Sequence, residues 1–391
     1  MPDQSQLNPE LVQSLKTRQS LLNVVKTTRT PGGQTLDWVP IESQHPEGKI
    51  AAPPPPAQTA VAEQDAEKPA KGVGFELDDP KAERGPTGTV PIARPDISVL
   101  TKKIAVQDYL SKRGSVMIKK KHPNKKPTPP DPFGYFHAMA DQTAQSYGCD
   151  GYLNVWDPTV SGPGDDHSIL QTWVQNYETA QLQSLEAGLT VDRALNGDTL
   201  PHLFTYYTTN SYSKDGNNLG GYNHLYSGWI QYNASVFPGI RINGTSTQGG
   251  PQFWVFIKYQ LYQGNWWFGV QGSGSFIWIG YYPASLFGGS GLSNYTEWVD
   301  FGGEVYSSLA NPCSTTDQMG SGRRAEDGWT HAAFERNLRL QSNTNGAMVN
   351  FNGLAETDSA NKCSSDPYDI QLHMNSGTSW GSYFYVGGPA A

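Results

Sequence analysis

Charged residues and cysteines are both scarce in this sequence of 391 residues. Asp, Glu, Lys and Arg together make up only 16% of the chain, and no run of 18 or more apolar residues occurs, which argues against a membrane-spanning helix. The metal-binding patterns HExxH and CxxC are also missing, so we expect no metal and no cofactor. The three cysteines, Cys149, Cys313 and Cys363, cannot all pair within the chain. A disulfide between Cys313 and Cys363 is plausible, because turn-like residues flank both, and free thiols are the alternative.

Glycine and aromatic residues are abundant instead, with 42 Gly, 20 Tyr and 11 Trp. From residue 133 onward, short apolar and aromatic runs alternate with Gly, Asn and Ser turns, which is typical of antiparallel strands. Sheets packed face to face would bury that many runs, so we predict an all-β fold, a large antiparallel β-sandwich. The predicted strands are 152–156, 169–174, 184–191, 203–208, 228–233, 252–262, 265–270, 276–282, 297–306 and 382–386.

The first 132 residues have a different composition. Apolar residues in 8–27 recur at helical spacing behind Asn8 and Pro9, which predicts an amphipathic helix. Residues 51–95 are rich in Pro, Ala, Lys and Glu, so we interpret them as a linker that cannot bury a core. A short helical pattern spans 104–112, and the proline-rich stretch PTPPDP ends this part of the chain. We therefore divide the sequence into 1–50, 51–132 and 133–391.

Charge is divided unevenly between these parts. Residues 1–132 carry 19 basic and 15 acidic side chains, a net charge of +4, whereas residues 133–391 carry 9 and 21, a net charge of −12. The two parts should therefore attract each other. The basic run KKKHPNKK at 119–126 is a pattern that can bind nucleic acid, but the acidic body lacks a basic face. We expect no nucleic-acid partner.

Two glutamates lie on predicted strands, Glu186 in SLEAGLTV and Glu304 in FGGEVYSS. Side chains alternate between the two faces of a strand. Leu185 and the apolar residues in step with it form the core face of the first strand, so Glu186 points away from the core. The same alternation sets Glu304 on the face opposite Phe301. Both acids are therefore predicted to leave the core.

Glycines accompany both acids. Gly188 and Gly302 each share a face with one glutamate two residues away, which leaves room for a ligand to approach the carboxylate. Strand aromatics could line a groove there, although solvated acids and core aromatics are the alternative. The candidate groove residues are Trp173, Tyr207, Trp229, Trp298 and Tyr306. His167, His202, His224 and His331 are scattered, and we interpret them as surface or hydrogen-bonding residues.

Seven separated motifs resemble the neprosin family of glutamic peptidases in order and spacing. They are SLEAGLTV, GDTLPHLFTYYT, GNWWFGV, IGYYPASLF, FGGEVYSS, DQMGSGRRAEDGW and SWGSYFYVGGP. The resemblance covers roughly 134–391. It implies a β-sandwich with an open groove, Glu186 and Glu304 as the catalytic pair, and cleavage after proline in acid. A peptide or protein is then the substrate, and we expect a monomer with no membrane partner.

A second likeness lies upstream, where GGQTLDWVPIESQ at 32–44 is similar to the activation peptide of the family. It makes residues 1 to about 130 a pro-region that holds the enzyme latent. Self-cleavage after Pro129, Pro130 or Pro132 would release it. The likeness also implies secretion, although residues 1–13 lack the basic and then apolar pattern of a signal peptide. The chain departs from the family pattern at four places. Leu189 and Tyr282 each replace a usual Trp, Trp38 stands where the activation motif often has Cys, and GGYNHLY lies at 220–226, where plant members carry two cysteines.

Two carboxyl groups that share one proton across a water can hydrolyse a peptide bond. The ionised member takes a proton from the water, and the protonated member polarises the carbonyl and later helps to protonate the leaving nitrogen. Because the pair must be half-ionised, activity should peak in acid. The sequence does not say which glutamate is the base. The alternatives are a glycoside hydrolase, which also uses paired carboxylates, and a carbohydrate-binding sandwich without activity.

Overall fold

The structure, a computed structural model, describes residues 7–55, 68–100, 112, 134–162, 166–179, 181–357, 363–377 and 379–389. Strands are the main secondary structure of these residues and nearly all of them pair antiparallel, which confirms the predicted all-β sandwich. Within these ranges, no helix is long and apolar enough to cross a membrane. The candidate cleavage sites at Pro129, Pro130 and Pro132 lie outside the described residues, as do the basic run at 119–126 and the predicted helix at 104–112, apart from Lys112.

The N-terminal part begins with helix α1 (Pro9–Gln19). The side-chain oxygen of Asn8 accepts hydrogen bonds from the backbone amides of Glu10 and Leu11, both at 3.1 Å, which confirms the predicted start. The helix ends eight residues earlier than predicted, because β-branched Val and Thr residues follow and favour an extended chain. The strands of this part are β1 (Lys26–Arg29), β2 (Thr35–Pro40), β3 (Ala70–Gly72), β4 (Gly74–Phe75) and β5 (Thr89–Ala93).

The body of the molecule contains two large sheets and the short helix α2 (Arg193–Asn196). Its strands are β6 (Tyr135–Ser146), β7 (Gly148–Asn154), β8 (His167–Asn176), β9 (Gln183–Asp192), β10 (His202–Thr208), β11 (Gly220–Tyr222), β12 (Ile230–Gln231), β13 (Ile242–Asn243), β14 (Gln252–Tyr262), β15 (Asn265–Gln271), β16 (Ile277–Pro283), β17 (Thr296–Tyr306), β18 (Ala333–Gln341), β19 (Met348–Asn350), β20 (Leu354–Thr357), β21 (Asp369–His373) and β22 (Tyr383–Gly387). Short 3-10 turns lie at Ile41–Gln44, Glu76–Asp78, Ile97–Val99, Ala284–Phe287, Gly291–Ser293, Pro312–Ser314 and Ala325–Asp327.

One sheet, which we call the glutamate sheet, has the order β11-β10-β9-β8-β17-β6-β20. The other, which we call the large sheet, runs β12-β16-β15-β14-β7-β18-β22-β21, with β19 beside β18 and β3 beside β14. Alternate side chains of both sheets meet in one buried core. Leu185 and Phe301 of the glutamate sheet share this core with Ile257 and Phe384 of the large sheet. Burying such a side chain contributes about 1.5–3 kcal/mol, so this core fixes which face of each strand remains outside.

Residues 68–93 form strands and bury apolar side chains, which a linker does not do. β3 pairs in parallel with β14, and β4 pairs with β13. Val73, Phe75 and Leu77 are buried in the main core. The interpretation that this stretch cannot bury apolar residues was wrong, because it assumed that the segment must build a core of its own. The segment instead uses strands and apolar surface of the body, so a few large side chains are enough.

Cys313 and Cys363 form a disulfide with their Cα atoms 5.6 Å apart. The bridge ties the segment before β18 to the segment before β21. Cys149 is a buried free thiol in the main core. Burial raises the pKa of this thiol to about 12, so it stays protonated and unreactive.

Candidate active site

Glu186 and Glu304 face the same side of the glutamate sheet. Glu186 lies on β9 and Glu304 on β17, and β8 runs between these two strands. Along the ladder, Glu186 stands opposite Trp173 and Glu304 opposite Ile169, with Gln171 of β8 between these positions. The apolar neighbours of both acids turn into the main core. Strand alternation therefore brings two carboxyl groups from non-adjacent strands onto one outer face.

The ammonium group of Lys112 lies between the two carboxylates. Its Nζ is 2.5 Å from Oε2 of Glu186 and 2.9 Å from Oε2 of Glu304. The same nitrogen donates to Oε1 of Gln171 at 2.9 Å. Both glutamates are fully buried and Lys112 is only 1% exposed, so the three charges form a closed ionic cluster. The two acids thus share one cation at a single point.

Glu304 has two histidines as further partners. The Nε2 atoms of His137 and His167 lie 3.2 Å from its Oε2 and 3.1 Å from its Oε1, and the amide of Gln171 donates to Oε2 at 3.3 Å. Burial opposes the charged form of Glu304, but Lys112 and the two histidines outweigh it and hold the pKa well below the usual range. Burial also disfavours the charged form of His167, yet its bond to Glu304 raises its pKa.

Glu186 has hydroxyl donors rather than nitrogen donors as its further partners. The hydroxyl of Tyr212 donates to Oε1 at 2.5 Å, and the hydroxyl of Ser184 donates to the same oxygen at 3.1 Å. Tyr212 follows Ser211, and both have the left-handed backbone conformation that non-glycine residues rarely adopt, with φ of 57° and 62°. Burial, followed by the charge of Glu186, raises the pKa of Tyr212 well above its usual range, so this hydroxyl keeps its proton.

Comparison with known proteins identifies the family of this chain. A family model described as Neprosin matches residues 164–389, which is more than half of the 391 residues. The chain belongs to the neprosin family. It is therefore a glutamic peptidase, a hydrolase of peptide bonds, rather than a glycoside hydrolase or a carbohydrate-binding sandwich. The crystal structure of scytalido-glutamic peptidase with a transition state analog inhibitor is similar over 65% of this chain and 97% of its own, with 11% sequence identity and a TM-score of 0.33.

In this neprosin-family chain, three of the predicted groove aromatics lie on the same face as the glutamates. The ring of Trp173 is 5.4 Å from Nζ of Lys112. Trp298 packs in the apolar cluster that covers this face. The ring of Tyr306 lies 5.7 Å from the ring of His167. All three rings therefore lie on the face of the sheet that bears the carboxylates.

The prediction is wrong for the other two groove aromatics, Tyr207 and Trp229, which both belong to the main core. Tyr207 stands opposite Leu185 in the ladder, so alternation turns its ring inward. Trp229 packs edge to face on Tyr282 with ring centroids 5.1 Å apart. The prediction rested on their large rings at strand positions, but large aromatic rings also fill the core between the two sheets.

The two glycines beside the acids also differ from the prediction. A Cβ atom at Gly188 would lie 2.1 Å from the carbonyl oxygen of Leu170, and one at Gly302 would lie 2.4 Å from that of Ala138. Both positions therefore meet the backbone of the neighbouring strand rather than open space. These glycines allow close approach of strands, and they do not clear a path to the carboxylates.

Sequence reasoning missed Lys112, His137, Gln171 and Tyr212 as site residues. For His137 a signal exists, because it alternates with the core residues Phe136 and Ala138 and stands opposite Glu304 in the ladder. The scattered histidines of the sequence include His167, His202, His224 and His331. Among these, His167 joins the site. His202 bonds the carbonyl oxygen of Gly239, and His331 bonds the hydroxyl of Thr330. Ser379, in the GxSxG match at 377–381, lies just before β22 and is therefore not at the strand-to-helix turn of a nucleophilic serine.

We expect Tyr212→Phe to lower peptidase activity by about ten- to a hundredfold, because a hydrogen bond to a charged group contributes about 1.5–3 kcal/mol. The measurement is kcat/KM on casein at pH 4, with the melting temperature as a check on folding. Tyr177→Phe is the matched control, because Tyr177 is also a buried tyrosine of this face but donates to Gln175. Equal activity of Tyr212→Phe and wild type would contradict a role for this hydroxyl.

Proposed function

We propose that this chain is the latent precursor of a secreted glutamic endopeptidase that cleaves after proline in acid. Glu186 and Glu304 are the catalytic pair, and residues 1 to about 130 are the inhibitory pro-region. The observation that carries the proposal is the ammonium of Lys112, which is held by both carboxylates and by Gln171. A hydrolytic water would need that same position, so the lysine and the water exclude each other.

The surroundings of the two acids support a division of roles. Glu304 is held ionised by two histidines, so it is suited to act as the base. Glu186 is bound by hydroxyl groups, which tolerate a protonated carboxyl. With Lys112 withdrawn, Glu304 takes a proton from water while the water oxygen attacks the carbonyl carbon. Glu186 donates its proton to the carbonyl oxygen. Glu304 then passes the water proton to the leaving nitrogen as the C–N bond breaks, and a hydroxyl of the intermediate returns a proton to Glu186, which restores the starting pair.

The covering of the site supports latency. Leu11 and Leu15 of α1 and Leu100 pack into one buried cluster with Phe204 and Trp298 on the outer face of the glutamate sheet. This apolar layer and the Lys112 cluster together close the face that bears the acids. A substrate can reach the acids only after the N-terminal part moves away.

The aromatic walls support a preference for proline. The ammonium of Lys112 lies 5.4 Å from the ring of Trp173 and 5.7 Å from the ring of Phe204. Flat apolar surfaces at this distance suit the ring of a proline side chain that replaces the lysine. A panel of peptides that differ only in the residue before the cut would test this preference, and equal cleavage after alanine would contradict it.

Replacing either acid by its amide tests the catalytic pair. We expect Glu186→Gln and Glu304→Gln each to reduce kcat on a peptide substrate by more than about a hundredfold, because an amide can neither take the proton from water nor donate one in its place. The control is Glu297→Gln, which changes a glutamate of the same strand that accepts from the backbone of Tyr177. Normal turnover by either active-site variant would sink the assignment.

Replacing the lysine tests latency. We expect Lys112→Met to make the full-length chain active at a pH at which the wild-type chain is latent, because two buried carboxylates lose their shared cation. Breaking a buried ion pair costs about 3–5 kcal/mol, which weakens docking of the N-terminal part by more than a hundredfold. Peptidase activity before any processing is the measurement, with mass spectrometry to verify an intact chain.

Lys16→Met on the exposed side of α1 is the matched control for this experiment. Latency that is unchanged in Lys112→Met would contradict the proposed role of the lysine.

His224 offers a trigger for release in acid. Both of its ring nitrogens are buried and form no hydrogen bond within the described residues, and Arg18 of α1 donates to its carbonyl oxygen at 2.9 and 2.6 Å. Arg18 also lies over the ring of Tyr226 and donates to Asn217. Burial and the charge of Arg18 lower the pKa of His224 from 6.5 to about 3.

Because the pKa of His224 is lowered in the docked state, acid weakens docking of α1. Above about pH 6.5, His224 is neutral in both states and does not oppose docking of α1. Below that pH, the free energy of docking becomes less favourable by about 1.4 kcal/mol for each pH unit, until His224 protonates in the docked state near pH 3. We expect His224→Phe, which cannot be charged, to need a pH lower by at least about half a unit for activation. The measurement is the midpoint pH of activity gain after brief incubation, with His331→Gln as control. An unchanged midpoint would exclude His224 as the trigger.

A further inference from the structure

Aromatic rings surround a lysine on the face of the large sheet that points away from the core. Nζ of Lys68 lies 4.5 Å from the ring centroid of Trp380, 5.5 Å from that of Tyr383 and 6.0 Å from that of Tyr385. It also donates to the hydroxyl of Tyr385 at 3.4 Å. We call Trp380, Tyr383 and Tyr385 the aromatic cage. The cage is remote from the catalytic pair, because Tyr383 and Tyr385 alternate along β22 with Phe384, which faces the core between the sheets.

The walls of the cage are fixed by their neighbours. Trp380 and Tyr383 meet at 84° with centroids 5.1 Å apart, and Tyr383 and Tyr385 meet at 82° and 5.7 Å. His373 stacks on Tyr383 at 4.6 Å, and Phe334 packs on Trp380 at 4.7 Å. Rings that are nearly perpendicular to one another present several faces to one point. This geometry suits a cation, because the negative faces of the rings attract it.

The cation in the cage belongs to the part of the chain that the proposed activation removes. Lys68 lies two residues before β3, which pairs with Gln252–Trp254 at the start of β14. If the N-terminal part leaves, the cage loses its ammonium and this stretch of β14 loses its partner strand. Arg336 of the body also lies over the ring of Trp380, at 5.6 Å, and remains there. A cage that has lost Lys68, beside a stretch of β14 that has lost β3, matches an extended peptide that carries a lysine. The net charge of −12 on residues 133–391 favours approach of such a cationic peptide.

We propose that the aromatic cage is a second substrate-binding site, which takes the ammonium group of a lysine side chain on a protein substrate once Lys68 has left. The vacating step rests on the proposed function, whereas the binding chemistry of the cage does not. A lysine held there, with the following residues paired to β14, would tether a protein substrate to the enzyme away from the catalytic pair. The site would thus favour proteins with accessible lysines over short peptides without them.

The first experiment opens the cage in the full-length chain with Lys68→Ala. The probes are Nα-acetyl-lysine amide, its uncharged analogue Nα-acetyl-norleucine amide, and tetramethylammonium chloride, followed by tryptophan fluorescence. We expect saturable binding of the lysine probe by Lys68→Ala but not by wild type, and no binding of the norleucine probe. Lys71→Ala is the matched control, because Lys71 lies in the same segment and is exposed.

A second variant assigns the binding to the cage. We expect Tyr383→Leu in the Lys68→Ala background to weaken the lysine probe about tenfold, because one of three ring faces is lost. Absence of saturable lysine binding by Lys68→Ala would overturn the proposal. Binding of tetramethylammonium without binding of the lysine probe would overturn the assignment to lysine.

The last experiment asks whether the site acts on substrates. The enzyme is first activated in acid. We expect its KM for casein to rise severalfold when the casein lysines are acetylated, and we expect Tyr383→Leu to show an equal rise with unmodified casein. The kcat on a short lysine-free peptide should stay unchanged. Equal KM values for both caseins would overturn the proposal. The fluorescence experiment needs no peptidase activity, so a chain that binds lysine but never cleaves would contradict the proposed function alone.

Discussion

The contact of one ammonium with two carboxylates governs the organisation of this molecule. Removing charges from water is costly, and mutual attraction offsets the cost only when the geometry is close and the remaining hydrogen bonds are satisfied. Here Lys112, Glu186 and Glu304 meet within 2.9 Å, and histidine, glutamine and hydroxyl groups complete the shell. The same acids that are suited to catalysis are therefore stable in a buried state only while the lysine is in place.

The N-terminal part is bound to the body through more than this one contact. It adds β3 and β4 to strands of the body and places apolar side chains in the main core. Three of its cations contact the body: Lys112 in the acidic pair, Arg18 at His224, and Lys68 in the aromatic cage. Arg18 and Lys68 each lie near a histidine of the body, and burial together with the nearby cation lowers the pKa of His224 and of His373. Under the proposed function, acid would therefore act against the docked state at more than one point.

The two acids are unequal because their strands have different neighbours. Glu304 lies on a central strand between β6 and β8, and each of these strands supplies one histidine. Glu186 lies on β9 between β8 and β10, and a turn with two left-handed residues brings the hydroxyl of Tyr212 to it. Nitrogen donors that can carry charge favour a carboxylate, whereas hydroxyl donors serve a carboxylate or a carboxylic acid equally well. The difference in hydrogen-bond partners thus follows from which strands and turns lie beside each acid.

The sequence by itself determined the strand character of the body, the start of α1 and the outward direction of Glu186 and Glu304, because alternation and capping are local properties of the chain. Tertiary structure decided which aromatics face the acids, since Tyr207 and Trp229 differ from Trp173 only in where their strands place them. It also decided that Lys112 reaches Glu186 across 74 residues and Glu304 across β8. No local pattern encodes such convergence, because it depends on strand order and on which segment covers the sheet.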